Sequence, residues 1–332
     1  MDEPIEHRLE RWLSEVEGAP VTVEGFAPVS AGARRVNALF DAVRPGGTER
    51  LSFTMNQTEE IEIIGVAVEA GVRTLAEQAG VRTPKIHHVC TDPSAVGGPF
   101  FISTAVDGVS IPRQIMRKVD SLGLGETIVD QLGTAMARLH SIDIDLAPEL
   151  LPRPENADPV MTALGLLREA IDTMVEPSPT FSMALRRLED SAPDEPASIV
   201  IVHRDIRVGN IIVDDDGLAA VLDWETCHLG DAMEDLVWPC LRMWRFSENQ
   251  HRVGGLAGID VLRSAYERGG GQWDQTRFDW WRLLATVRWG VSLTGQARAH
   301  LEGRHRSIVM AASGRRRSEL EYDTLMLLRP GR

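Results

Sequence analysis

The stretch IVHRDIRVGNIIVDDDGLAAVLDWE, residues 201–225, sets His203, Arg204, Asp205, Asn210, Asp223 and Glu225 among short runs of valine, isoleucine and leucine. Burying an unpaired carboxylate is costly, so acids interleaved with strand formers either open onto a cleft or meet a cation. Asp205 stands five residues before Asn210, and Asp223 follows one hairpin later at the end of an apolar strand. Phosphoryl transfer calls for this set: a carboxylate orients the accepting hydroxyl and takes its proton, while an amide oxygen and a second carboxylate hold magnesium on nucleotide phosphates. Taken singly, Asp205 could be a helix or turn cap, Asn210 a turn residue after Gly209, and Asp223 a cap before Trp224. The three together, with the strand, loop and hairpin they require, favour chemistry. Arg207 could reach a phosphate or pair with an acid, and Glu225 could face the acceptor.

Elements that would position these residues can be read on either side. An amphipathic helix opens the chain, and residues 21–56 alternate in the strand manner around the turn RPGGTE, which predicts an antiparallel meander. The stretch IGVAVEAGVRTLAEQAG predicts a helix ending near Gly80, and PKIHHVCT and PFFISTAV predict two more strands. Strands, one helix, then strands make a small α+β lobe closing near Asp107. From SIPRQIM onward the pattern is helical, interrupted by SIVIVH and by NIIVD and AAVLDW around a DDDG hairpin turn. Helices then resume in DAMEDLVWPCLRMWRF, where Asp231 reads as an N-cap with Glu234 completing a capping box. The tryptophans Trp238, Trp244, Trp280, Trp281 and Trp289 read chiefly as helix packing, a minority of them as acceptor-pocket lining.

Composition narrows the function classes. A chain of 332 residues with 43% hydrophobic content can form a large core in one two-lobed unit or two domains. No apolar run approaches the ~20 residues that span a bilayer, and the acidic, amphipathic start lacks a signal core, so the sequence reads as cytoplasmic with no membrane partner. The net charge of -14 argues against nucleic acid, whose binding rests on cations neutralising phosphates. Cys90, Cys227 and Cys240 show no CxxC spacing and read as reduced structural thiols. His87 and His88, near Cys90, would point to opposite faces of a strand with no fourth ligand near.

The segment HRDIRVGNIIVDDDGLAAVLDWETCHLGDAMEDLVW resembles the catalytic segment of the aminoglycoside phosphotransferase-like family, related to choline kinases and more remotely to protein kinases. VGGPFFISTAVDGVSIPR resembles the hinge between that family's lobes, and WWRLLATVRWGVSLTGQARAHLEG resembles the last helices of a bacterial phosphotransferase subgroup, itself similar to kinase domains fused to acyl-CoA dehydrogenases. The resemblance implies an α+β, two-lobed protein-kinase-like fold. Residues 1–107 would be a small antiparallel-sheet lobe binding nucleotide, and 108–332 a mostly helical lobe for catalysis and acceptor binding. It implies ATP and Mg2+ as cofactors and a hydroxylated small molecule, such as an aminoglycoside or a hydroxyacyl-CoA, as phosphate acceptor. Asp205 would be the base, Asn210 and Asp223 the magnesium ligands, His203 and Arg204 supports of the loop, and Asp235, as in similar sequences, a hydrogen-bonding acid beneath it. The run GRRRS at 314–318 is a candidate patch for CoA phosphates or a solvated helix face.

One departure matters. VSAGARRVNALFDAV resembles the loop that covers the phosphates, with Gly32 at its turn, but lacks the full G-x-G-x-x-G pattern. Relatives carry a basic residue on the third strand, paired with a helix glutamate. Glu69 fits that glutamate, whereas ERLSFTM places Thr54 or Met55 at the basic position, and neither is a cation. Arg35, at the start of the second strand, could reach the phosphates instead, its guanidinium forking well onto phosphate oxygens. Otherwise the enzyme is slow, or the chain is a pseudokinase that binds a nucleotide or another small ligand. A metal-dependent hydrolase built on His203, Asp205 and Asp223 would need more histidines than this region offers.

Overall fold

The computed structural model describes residues 3–31, 35–56, 64–193, 198–304 and 306–329. Helix α1 (Ile5–Glu17) ends on Gly18 and buries Leu9 and Leu13. The expected meander forms as β1 (Thr22–Ala31), β2 (Arg35–Arg44) and β3 (Gly47–Asn56). Helix α2 (Val66–Gln78) follows, then β4 (Ile86–Cys90) and β5 (Phe100–Thr104), and the antiparallel sheet runs β1-β2-β3-β5-β4. Period-two alternation divides its faces. Ala38, Phe40 and Ala42 of β2 join Leu51, Phe53 and Met55 of β3 in a core with Leu9, Leu13 and Phe100. The alternate positions carry Arg35, Asn37, Thr54 and Asn56, with Asn37 opposite Thr54 and Arg35 opposite Asn56. Thr54 Oγ1 donates to Asn37 Oδ1 at 3.0 Å, so the third-strand position is taken up by a neutral cross-strand pair.

The second core is helical. It contains α3 (Pro112–Leu122), α4 (Gly125–His140), α5 (Pro159–Asp172) and α6 (Pro179–Asp190), and α2 contributes Val68, Val72 and Ala76 to it. Two short antiparallel pairs lie within this body: β6 (Ile199–Val202) with β9 (His228–Asp231), and β7 (Ile211–Val213) with β8 (Leu218–Val221). The remaining helices are α7 (Ala232–Val237), α8 (Ile259–Arg268), α9 (Gln275–Leu301), α10 (Ile308–Ser313) and α11 (Arg317–Leu327). The chain leaving β5 docks on the β7–β8 hairpin through two bonds between Val109 and Val213, at 2.9 and 3.0 Å. Gly108 permits this approach, since a Cβ there would lie 2.6 Å from Ile212 Cγ2.

Residues 228–231, to which the sequence reading assigned no strand, form β9 and pair with β6. One expectation is corrected: no single helix runs from Asp231 to Phe246. Pro239 supplies no N–H to a continuing ladder, α7 stops at Val237, and two 3-10 turns follow at 238–240 and 242–244. Among the described residues no helix is long and apolar enough to cross a membrane.

Candidate active site

The loop after β6 hangs from one buried acid. Asp235, fully buried, accepts the backbone N–H of His203 at 2.8 Å and that of Arg204 at 2.5 Å. His140 Nε2 lies 3.1 Å from the same carboxylate, and its Nδ1 lies 2.9 Å from the Tyr266 hydroxyl. Asp235 is therefore the acid beneath the loop that the sequence suggested. His203 is also fully buried, with Nε2 3.0 Å from the carbonyl of Leu222 and Nδ1 accepting the N–H of Asp205 at 3.2 Å. These partners fit a neutral ring protonated at Nε2, and burial pushes its pKa down. The imidazole thus ties the loop at Asp205 to the strand end just before Asp223.

Asp205 is tightly held. Its Oδ1 accepts from Trp238 Nε1 at 2.7 Å and from Arg207 Nε at 3.0 Å, while Oδ2 accepts from Asn210 Nδ2 at 2.6 Å. An ionised carboxylate offers about four lone-pair sites, so three donors leave one on Oδ2 for a further proton donor. Arg207 thus pairs with an acid, and its guanidinium also lies 5.0 Å from the Trp244 ring. Its path explains Gly209, where a Cβ would come within 2.3 Å of Arg207 Nη1. Sequence reasoning missed the contribution of Trp238, since indoles on helical patterns usually pack and nothing local signals a donor aimed 33 residues back.

Asn210 also donates from Nδ2 to the carbonyl of Asp205 at 2.9 Å, so both amide protons are engaged and Oδ1 is the atom left for a cation. Its backbone carbonyl accepts the N–H of Leu222 at 2.9 Å, which brings the end of β8 alongside. Asp223 then turns in the left-handed region at φ 64°, a costly conformation that aspartate tolerates better than most residues. Among the described residues no hydrogen-bond donor reaches its carboxylate. Its side chain is exposed to solvent, yet protein packed around it first, then the charges of Glu225, Asp205 and Glu69, push its pKa up to about 7 against the pull of Arg35. An amide oxygen and an undonated carboxylate short of positive charge are a hard-oxygen set that suits magnesium.

Arg35, the candidate for the missing cation, meets two acids. Its Nη1 lies 2.8 Å from Glu69 Oε2 and its Nε 3.2 Å from Glu225 Oε2, with Glu69 only 2% exposed. Arg73 approaches the other oxygen of Glu69 at 4.0 Å. Glu69 is therefore paired from the second strand, and Glu225 meets an arginine of the sheet. Gly32 lies outside the described residues.

The capping-box reading holds for one residue only. Asp231 caps α7 by accepting the N–H of Met233 at 2.9 Å, and its other oxygen accepts from Arg277 Nε at 2.8 Å and Trp281 Nε1 at 2.7 Å. Glu234 instead faces Arg204, His228 and Arg288. The three cysteines are buried and unbridged. His87 Nε2 lies 2.8 Å from Thr104 Oγ1 and His88 Nε2 3.3 Å from Glu17.

The chain is 26% identical over 180 residues to the "Probable acyl-CoA dehydrogenase IBR3" of Arabidopsis thaliana; the match covers 51% of this chain but only 22% of that longer relative. Its fold aligns with a Ralstonia eutropha protein assigned to the aminoglycoside phosphotransferases, at a TM-score of 0.72, 22% identity and 97% coverage of both chains. It also aligns with an aminoglycoside phosphotransferase in ternary complex with AMP-PNP and hygromycin B, at a TM-score of 0.64 and 16% identity, covering 96% of this chain and 98% of the other. The fold is thus the two-lobed α+β kinase-like one expected. Residues 64–281, more than half of the chain and including every element of the Asp205 loop, match the phosphotransferase enzyme family, to which this protein belongs.

Proposed function

We propose that the protein is a magnesium- and ATP-dependent kinase that phosphorylates a hydroxyl of a small molecule, with residues 1–107 as the nucleotide lobe and 108–332 as the catalytic and acceptor lobe. The observation that carries this reading is the pairing of two unlike carboxylates. Asp205 is fixed by three donors with one lone pair left, and Asp223 has no donor among the described residues and a surplus of negative neighbours. The first suits an acid that orients a hydroxyl and receives its proton, and the second suits an acid that awaits a cation.

In this mechanism Asp205 Oδ2 accepts the acceptor's hydroxyl and aligns its oxygen with the terminal phosphate, which is chiefly a positioning role. Asn210 Oδ1 and Asp223 would hold magnesium, which supplies charge neutralisation at the nucleotide phosphates. Arg35, held by Glu69, would supply at the phosphates the cation that the third strand lacks. The relatives point to two acceptor classes, an aminoglycoside from the structural neighbours and a hydroxyacyl thioester from the acyl-CoA dehydrogenase likeness. The arginine run bears weakly on the second, since Arg316 is engaged by Glu319, and Arg317 by Glu321 and Glu176.

Calorimetric titration of ATP with and without magnesium, on the wild type and on Asp223→Ala, tests the nucleotide half. Binding that needs magnesium and disappears in the variant is expected; no binding at millimolar ATP overturns it. Asp205→Ala should keep magnesium-dependent ATP binding while turnover falls by about 10²–10⁴-fold. A nucleotide-binding protein without catalysis would pass the first test and show no turnover to lose in the second.

A further inference from the structure

Beside the Asp205 loop, three basic side chains converge on one acid. Glu234, 3% exposed, has Arg204 Nε at 3.3 Å from Oε1, Arg288 Nη1 in shorter contact with the same oxygen, and His228 Nε2 at 3.1 Å from Oε2. Burial opposes the charge of Glu234, but His228, Arg288 and Arg204 outweigh it and hold its pKa well below the usual carboxylate range. One carboxylate cannot neutralise two guanidinium groups, and repulsion from Arg288, followed by burial, lowers the Arg204 pKa to about 10.

Three features distinguish this cluster from a closed structural ion pair. Arg288 Nη2 is buried with no hydrogen-bond partner among the described residues, a rare and costly condition for a charged donor. Arg204 occupies the left-handed region at φ 72°, where glycine would avoid the Cβ strain. Both side chains remain partly open, at 32% and 19% exposure. Their location links them to the reacting centre: Arg204 precedes Asp205 in the chain, and Arg288 lies 5.2 Å over the Trp238 ring, whose N–H donates to Asp205.

We propose that Arg204 and Arg288 form an oxyanion subsite for the acceptor, so that the hydroxyl offered to Asp205 belongs to a molecule that also carries a carboxylate or a phosphate-type group. The proposal rests on the kinase reading for its hydroxyl and adds the charge of the molecule that bears it. Guanidinium forks match the planar or tetrahedral oxygens of such groups. A polycationic acceptor would meet like charge at the same place.

The test is calorimetric titration of inorganic sulfate and, separately, acetate into the full chain with magnesium and AMP-PNP at saturation. Saturable binding of at least one anion is expected, weakened by about tenfold or more in Arg288→Met and in Arg204→Gly, with AMP-PNP affinity unchanged in Arg288→Met. Stronger sulfate binding identifies a phosphate-type group, and stronger acetate binding a carboxylate. Arg204→Gly suits the backbone at φ 72° and decides the matter if Arg288→Met fails to fold. No saturable binding of either anion, or equal binding in the folded variants, overturns the proposal. If AMP-PNP does not bind, the nucleotide reading fails on its own, and the same titrations on the free protein still judge the arginine subsite.

Discussion

Replacing Arg35 by methionine separates its structural role from its functional one. The substitution keeps the length of the aliphatic stem and removes the guanidinium between Glu69 and Glu225. Breaking a buried ion pair from one side costs about 3–5 kcal/mol, because the partner is left charged and dry. Two features reduce that figure here. Arg35 is 12% exposed, so water can reach part of the gap, and Arg73 stands 4.0 Å from the other oxygen of Glu69. A loss of about 2–3 kcal/mol is expected on this basis, read by urea unfolding of the nucleotide-free protein. Much of it should return in Arg35→Met with Glu69→Gln, since the stranded charge is then gone. ATP binding should not return in that double variant. A guanidinium on phosphate oxygens contributes about 1.5–3 kcal/mol, so affinity should fall by about 10–100-fold in both. Unchanged ATP affinity in a folded Arg35→Met protein would refute the idea that the second strand supplies the missing cation.

Asp223 predicts an inverted pH response. Its carboxyl is raised from 3.8 to about 7, so the native state binds more protons than the unfolded state across that window, and stability contributed by the protonated form is lost as pH rises through about 7. Asp223→Asn should therefore raise the nucleotide-free melting temperature more at pH 8 than at pH 5, while abolishing stabilisation by magnesium and ATP; a uniform shift at both pH values would contradict the assignment. Trp238→Phe removes a 2.7 Å donor to Asp205 and keeps most of the ring packing, so kcat should fall by about tenfold with ATP affinity unchanged. An unaltered kcat in that variant would mean that Arg207 and Asn210 suffice to hold the carboxylate.

Local patterns made much of the architecture legible. Alternation from Val21 to Asn56 marked the meander, and the spacing of Asp205, Asn210 and Asp223 marked a loop and hairpin that the fold places side by side. What escaped depends on packing between distant segments. Four residues are too few to distinguish β9 from a helix lead-in, and its strand character comes from the ladder to β6. Glu234 fits a capping box by spacing, yet Arg288, 54 residues further on, together with Arg204 and His228, offers more to a buried carboxylate than one backbone N–H at a helix start.

The missing third-strand cation shows the same limit from the other side. An alignment along the chain compares Thr54 with a position, whereas electrostatics compares it with a place in space. In the sheet, Asn37 lies directly opposite Thr54 and Arg35 opposite Asn56, so a side chain from the start of β2 can serve the region that a β3 side chain serves elsewhere. The buried Glu69 requires a positive charge within hydrogen-bond reach, irrespective of the strand that carries it, and Arg35 provides one. Arg35 also bears on Asp223, since it is the one group among the named contributors that draws that pKa down. Removing Arg35 should therefore move the pH window of the Asp223 carboxyl upward, and a melting-temperature profile of Arg35→Met whose pH dependence matched the wild type would break that link.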